Sequence, residues 1–150
     1  MSEEIDDPVA EADAFGRIAA DRAAALACEG RLLLVDIRTP AEWAQTGVPA
    51  GAALVPLTEG AQRLRPDFVA DLERALGGRR DRPVALVCRS GGRTAAARRL
   101  LLAEGFTRVL DVAEGMAGSA FGPGWLARGL PLEPWPSADR EESAVTGTSR

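Results

Sequence analysis

Residues 83 to 94 read Pro-Val-Ala-Leu-Val-Cys-Arg-Ser-Gly-Gly-Arg-Thr, and this stretch decides the fold. Val84-Ala85-Leu86-Val87 is a short unbroken apolar run of the kind that fills a central parallel strand. The sequence from Thr94 to Leu102 reads as a helix. Cys88 therefore sits at the carboxyl end of a buried strand, on a tight turn that opens a helix. In α/β sheets that is where ligands bind. The helix start offers unpaired N–H groups and the positive end of a dipole, so an anion on or near the sulfur is favoured. Gly91 and Gly92 let the loop backbone approach a ligand, and Arg89 and Arg93 add fixed positive charge. Thiolate is the reactive form of cysteine, and such surroundings favour it.

A free cysteine after a strand is often only a small buried apolar side chain. Such a residue needs neither two glycines nor two arginines beside it. The Arg-Ser-Gly-Gly-Arg loop favours a reactive sulfur that carries negative charge.

Composition narrows the chemistry. At 150 residues, 46% hydrophobic and 27% charged, the chain suits one soluble domain with a full core. No segment approaches the roughly 20 apolar residues of a membrane span. The acidic start, Ser2-Glu3-Glu4-Ile5-Asp6-Asp7, does not resemble a secretion signal, so a cytoplasmic location is expected. A net charge of −4 gives nucleic-acid binding no electrostatic support. All 18 basic residues are arginine, a pattern we read as GC-rich coding bias. The chain has no histidine, which excludes a Ser-His-Asp triad, a Cys-His pair and histidine metal ligands. Cys28 and Cys88 alone make neither a zinc site nor a disulfide scaffold. No metal or cofactor is expected.

Elsewhere, Asp7-Pro8 looks like a helix start, and apolar residues at helical spacing from Val9 to Leu26 predict a helix running to about Cys28. Arg31 to Ile37 reads as a central strand, and Thr39-Pro40 begins a short helix through Trp43. A turn at 47–51 leads to a weak strand from Ala52 to Leu57. A helix is predicted from Pro66 to Leu76, then the Val84–Val87 strand, a helix from Arg93 to Ala103 and a last strand from Arg108 to Val112. A Gly-rich segment, 114–124, precedes a helical turn at 125–128. This alternation implies an α/β fold, a parallel sheet of about five strands with helices on both faces. Residues 1–8 read as an acidic extension, 9–135 as the domain, and 136–150 as a polar, disordered tail.

Four motifs, in order, resemble the rhodanese family. Leu34-Val35-Asp36-Ile37-Arg38-Thr39-Pro40-Ala41-Glu42-Trp43 is similar to its opening signature. Gly47-Val48-Pro49-Ala50-Gly51-Ala52 resembles the next motif, without the histidine usual there. Cys88 to Thr94 resembles the active-site loop. Asp111 to Met116, Trp125 and Gly129-Leu130-Pro131 resemble the closing segment, with residues 117–124 as extra length. That extra segment reads as a surface insertion.

The resemblance implies a single-domain sulfurtransferase that moves sulfane sulfur from a donor such as thiosulfate through a Cys88 persulfide. Arg89, Ser90, Gly91, Gly92, Arg93 and Thr94 would bind the small anionic donor, and a thiol or protein cysteine would accept the sulfur. Asp36 and Arg38 either border the pocket or form a structural ion pair, the second being favoured. Glu42 and Trp43 are assigned to local packing, Met116 and Trp125 to the core, and Cys28 to a buried helix end in preference to a residue that resolves a Cys88 persulfide as a disulfide. One alternative is a persulfide carrier for a partner protein, with little thiosulfate turnover. Another is a cysteine phosphatase or arsenate reductase. Those that resemble rhodanese have five residues between Cys and Arg, whereas here only four separate Cys88 from Arg93.

Overall fold

The computed structural model describes residues 7–136. The expectations for the first six residues and for 137–150 lie outside it.

The sheet forms where the sequence is continuously apolar. Strands β1 (Leu33–Asp36) and β6 (Val84–Val87) are its centre, flanked by β3 (Ala53–Leu54) and β7 (Val109–Asp111) in the order β3-β1-β6-β7. All pairings are parallel, with Leu33 opposite Val84 and Leu86 opposite Asp111. The four strands are joined by a single-residue parallel bridge between Arg17 and Asp111, a vestigial fifth strand beside β7.

Alternation along the strands sends side chains to two cores. Val35, Val84, Leu86, Cys88 and Val109 face α3 (Phe68–Ala75) and α4 (Gly92–Ala103), which contribute Phe68, Leu72, Ala97 and Leu101. Leu34, Ala85, Val87 and Leu110 face α1 (Ala20–Cys28), which contributes Ala20, Ala23 and Leu26, and the buried Met116 and Trp125 join this second core. A short helix, α2 (Pro40–Thr46), follows β1. Two small antiparallel pairs complete the fold: β2 (Val48–Pro49) with β8 (Leu132–Glu133), and β4 (Thr58–Glu59) with β5 (Arg63–Leu64).

The predicted helix from Val9 to Cys28 is corrected. A 3-10 turn covers only Pro8–Glu11, and α1 starts at Ala20. Between them Asp13 Oδ1 accepts the N–H groups of Phe15 and Arg17, a local bond that competes with helix. Gly16 then turns with φ +80°, and Ile18 N donates to Asp111 O. Phe15, counted in the helical stripe, is 67% exposed. The strand predicted from Ala52 to Leu57 shortens to Ala53–Leu54. Cys28 is exposed rather than buried.

Candidate active site

Strand β6 delivers Cys88 to the carboxyl edge of the sheet, and the loop 89–91 turns directly into α4. The turn requires Gly91, whose φ is +102° and whose missing Cβ would stand 2.4 Å from Ala113 O. The segment after β7 clamps the loop from the other side. Met116 N donates to Cys88 O (2.9 Å) and Ala117 N to Arg89 O (2.8 Å). Gly115 allows this approach, since a Cβ there would lie 2.3 Å from Arg89 O.

Within this frame Cys88 is 1% exposed. Its Sγ accepts the N–H of Gly91 at 3.1 Å and lies 3.7 Å from Thr94 Oγ1. The first backbone bond into α4 is Ala95 N to Gly91 O, so the N–H groups of Gly92, Arg93 and Thr94 have no partner within the helix. The sulfur thus accepts one N–H beside the positive end of a helix.

Above it opens a cavity of about 490 Å³. Cys88, Arg89, Ser90, Gly92 and Arg93 line one side, and Thr39 and Glu42 a second. Thr58, Gly60 and Gln62, from the β4–β5 hairpin, line a third. Gln62 holds a left-handed conformation, φ +67°, which is uncommon for a residue with a side chain.

Glu42 belongs to this site rather than to local packing. Its carboxylate takes Arg93 in a two-pronged ion pair, with Nη1 to Oε1 at 2.7 Å and Nη2 to Oε2 at 2.8 Å. The Arg93 guanidinium, helped by the Thr39 N–H and hydroxyl, outweighs partial burial and holds Glu42 down to about 2. The same contact raises Arg93. Part of this was visible in the sequence, because Thr39-Pro40-Ala41-Glu42 is a capping box at the start of α2. No local signal connects it to Arg93, which lies 51 positions further on. The contribution of Thr58, Gly60 and Gln62 had no sequence signal.

Asp36 and Arg38 do not line the cavity. They form a buried ion pair, Nη2 to Oδ2 2.8 Å, with Arg38 also donating to Thr46 Oγ1 and Gly47 O at 3.0 Å each. Trp43 is buried against Trp135, with ring centroids 5.4 Å apart. None of residues 117–124 lines the cavity. Cys28 ends α1, at the opposite sheet edge from Cys88. The four-residue strands between the edges span roughly 13 Å at about 3.3 Å per residue, which is beyond the reach of a disulfide. Among the described residues no group of His, Cys, Asp or Glu could hold a metal ion.

Comparison with known proteins identifies the family. The family model for the rhodanese-like domain matches residues 19–120. The chain belongs to the rhodanese-like domain family. A sulfurtransferase from Allochromatium vinosum is 36% identical over 101 residues, 67% of this chain and 78% of that relative. Thiosulfate sulfurtransferase 16, chloroplastic, from Arabidopsis thaliana is 35% identical over 102 residues, 66% of this chain and 78% of that relative. Among solved structures, Rv0390 from M. tuberculosis superposes with a TM-score of 0.65 at 32% identity, covering 79% of this rhodanese-like chain and 96% of its own.

Proposed function

We propose that this rhodanese-like protein is a sulfurtransferase that carries sulfane sulfur as a persulfide on Cys88. The observation that carries the reading is the buried Sγ, accepting the Gly91 N–H at the base of an open polar cavity. In the first half-reaction an electron pair of the Cys88 thiolate attacks the outer sulfur of a donor. With thiosulfate, the S–S bond forms as the donor bond breaks, and sulfite leaves with the bonding pair. In the second, a thiolate or cyanide takes the outer sulfur and the Cys88 thiolate is regenerated. This is covalent catalysis in two steps. The N–H groups of the loop and of the first turn of α4 stabilise the anionic sulfur in both. Arg89, exposed at the rim, meets the anionic donor. A reduced compartment such as the cytoplasm keeps the thiol available.

Two features disfavour phosphatase chemistry. The loop is short, and Arg93, which would have to clamp a phosphoryl group, is already held by both oxygens of Glu42. A protein persulfide or a low-molecular-weight thiol persulfide suits the cavity as well as thiosulfate does, because a small inorganic ion leaves the wall of Thr58, Gly60 and Gln62 untouched.

The deciding experiment is intact mass after incubation with thiosulfate, glutathione persulfide or mercaptopyruvate. A gain of one sulfur that cyanide removes is expected in the natural protein and in Cys28→Ser, and is absent in Cys88→Ser. Hydrolysis of aryl phosphates without persulfide formation from any donor would overturn the reading. Turnover only with a protein donor would instead assign the carrier role.

A further inference from the structure

A second cavity, of about 300 Å³, adjoins the one above Cys88. Thr58, Gln62 and Leu64 form its hairpin wall, and Ala96, Ala97 and Leu100 of α4 the opposite one. Thr58 and Gln62 line both cavities. One face of α4 joins them as well. Gly92 and Arg93 border the first cavity, and Ala96, Ala97 and Leu100 follow them at spacings of three and four, which stack along one side of a helix. The two cavities are therefore successive parts of one groove between α4 and the β4–β5 hairpin. From Gly92 to Leu100 the helix advances roughly 12 Å, at about 1.5 Å per residue.

The chemistry changes along this groove. The Cys88 end is bordered by Arg89, Ser90 and Arg93, whereas no charged side chain lines the far end. Leu64 is 54% exposed there, and Ala96 is exposed beside it. An exposed leucine by itself is ordinary. Its continuity with the Cys88 cavity is what gives it a use. A small inorganic donor occupies the polar end alone and leaves the apolar end empty. A small organic ligand is normally enclosed, with roughly 70–90% of its surface buried. An open groove of this length instead suits an extended peptide segment. Such a segment advances about 3.3 Å per residue and returns every second side chain to the same face. With a cysteine at the Cys88 end, the side chain two positions away falls roughly 7 Å along, level with Ala96 and Ala97. The exposed Gln62 amide at the junction can both donate to and accept from the peptide backbone between them.

We propose that this groove docks an extended segment of the protein that accepts the sulfur, with its cysteine over Cys88 and an apolar side chain two positions away in the second cavity. The inference rests on the persulfide reading above. In the transfer, the electron pair of the partner's thiolate forms a bond to the outer sulfur of the Cys88 persulfide. The bond between that sulfur and Cys88 breaks, and its electron pair returns to Sγ. The partner leaves as a persulfide, and no further oxidant or reductant is needed.

The test loads Cys88 with sulfur from thiosulfate or glutathione persulfide, in the Cys28→Ser background, and follows single-turnover transfer to synthetic acceptors. One probe is the peptide acetyl-Gly-Leu-Gly-Cys-Gly-Leu-Gly-amide, with leucine two positions to either side of its cysteine. The other has serine in both places. At equal thiolate concentration, the second-order rate constant for the leucine peptide should exceed that for the serine peptide about tenfold or more. Ala96→Glu, which puts a charge into the groove, and Leu64→Ser should each bring that ratio close to one, with circular dichroism confirming the fold. Because the ratio is taken on one protein, a general loss of transfer does not mimic the effect. If Ala96→Glu does not fold, Leu64→Ser decides alone. A ratio near one in the parent, or a ratio that the folded variants keep, would overturn the proposal. So would butanethiol reacting as fast as the leucine peptide, since the groove would then serve a small apolar thiol. Loaded Cys88 with a ratio near one removes only the docking groove, whereas no loading from any donor removes the functional reading itself.

Discussion

Of the two arginines that flank the Cys88 loop, only one is free to meet an anion. Arg93 is neutralised by Glu42, whereas Arg89 is exposed and has no carboxylate partner among the described residues. The site is therefore less positive than its sequence suggests, and under the sulfur transfer proposed above it should discriminate against doubly charged donors. Glu42→Gln should free a second cation for the cavity. The KM for thiosulfate, relative to that for a singly charged persulfide, should fall about tenfold, roughly 1.4 kcal/mol. Steady-state kinetics with both donors checks this, and an unchanged ratio would refute it. The ion pair also has a pH signature. Glu42 moves from 4.5 in a free chain to about 2 in the fold. A lowered carboxyl value means stabilisation that is complete above 4.5 and lost as pH falls toward 2. Urea denaturation of the natural protein and of Glu42→Gln should therefore converge across that window. Asp111 has the opposite sign. Its raised value makes the native carboxylate a liability as pH climbs above 3.8, so Asp111→Asn should be the more stable protein at neutral pH.

Gly91 and Gly92 look alike in the sequence, but the turn from β6 into α4 uses them differently. Gly91 has positive φ and faces Ala113 O, whereas Gly92 opens α4 with nothing within 4 Å of an added Cβ. The left-handed conformation alone costs an alanine roughly 1–2 kcal/mol, and the carbonyl contact adds to it. Gly91→Ala should thus lose about 2 kcal/mol or more of stability and most persulfide formation. Gly92→Ala should stay within about 0.5 kcal/mol. Thermal melts and the mass assay measure both, and equal losses would contradict the geometry. The same contrast explains what could be read in advance. The strand–turn–helix around Cys88 was legible because its apolar run, glycines and helix start all agree locally. The stretch from Val9 to Ala19 was not, because Asp13 and Gly16 break a helical spacing that small apolar residues maintain by composition. Glu42 was misread for another reason, since its partner arrives only through the tertiary fold. The β4–β5 hairpin carries no alternation or turn dipeptide that marks it as a cavity wall.

At the scale of the whole molecule, one buried carboxylate fixes the extra Gly-rich length. Glu114 is 1% exposed and accepts the N–H of Ala20 at the start of α1 and of Gly124 beyond the insertion, both at 2.9 Å. Arg128 Nε completes the set at 2.7 Å. Burial works against ionisation of Glu114, but Arg128 and the two N–H groups outweigh it and hold it below its usual value. The insertion is accordingly folded back over the edge of the sheet, where Phe121 meets Arg17 at 4.3 Å, and stays clear of the cavity. Removing this carboxylate orphans two backbone donors, each costing roughly 1–3 kcal/mol when buried. Glu114→Ala should therefore lose about 2–6 kcal/mol, a large part of the roughly 5–15 kcal/mol that holds a domain of this kind together. Arg128→Ala leaves both N–H groups paired but removes the cation from a buried carboxylate, and should cost less, about 1.5–3 kcal/mol. Urea denaturation gives the order, and the mass assay on the folded fraction should show undiminished sulfur loading of Cys88 in both variants. Equal destabilisation would mean that the arginine, not the backbone donors, is what Glu114 serves. Lost loading in folded Glu114→Ala would mean that the insertion reaches the cavity after all.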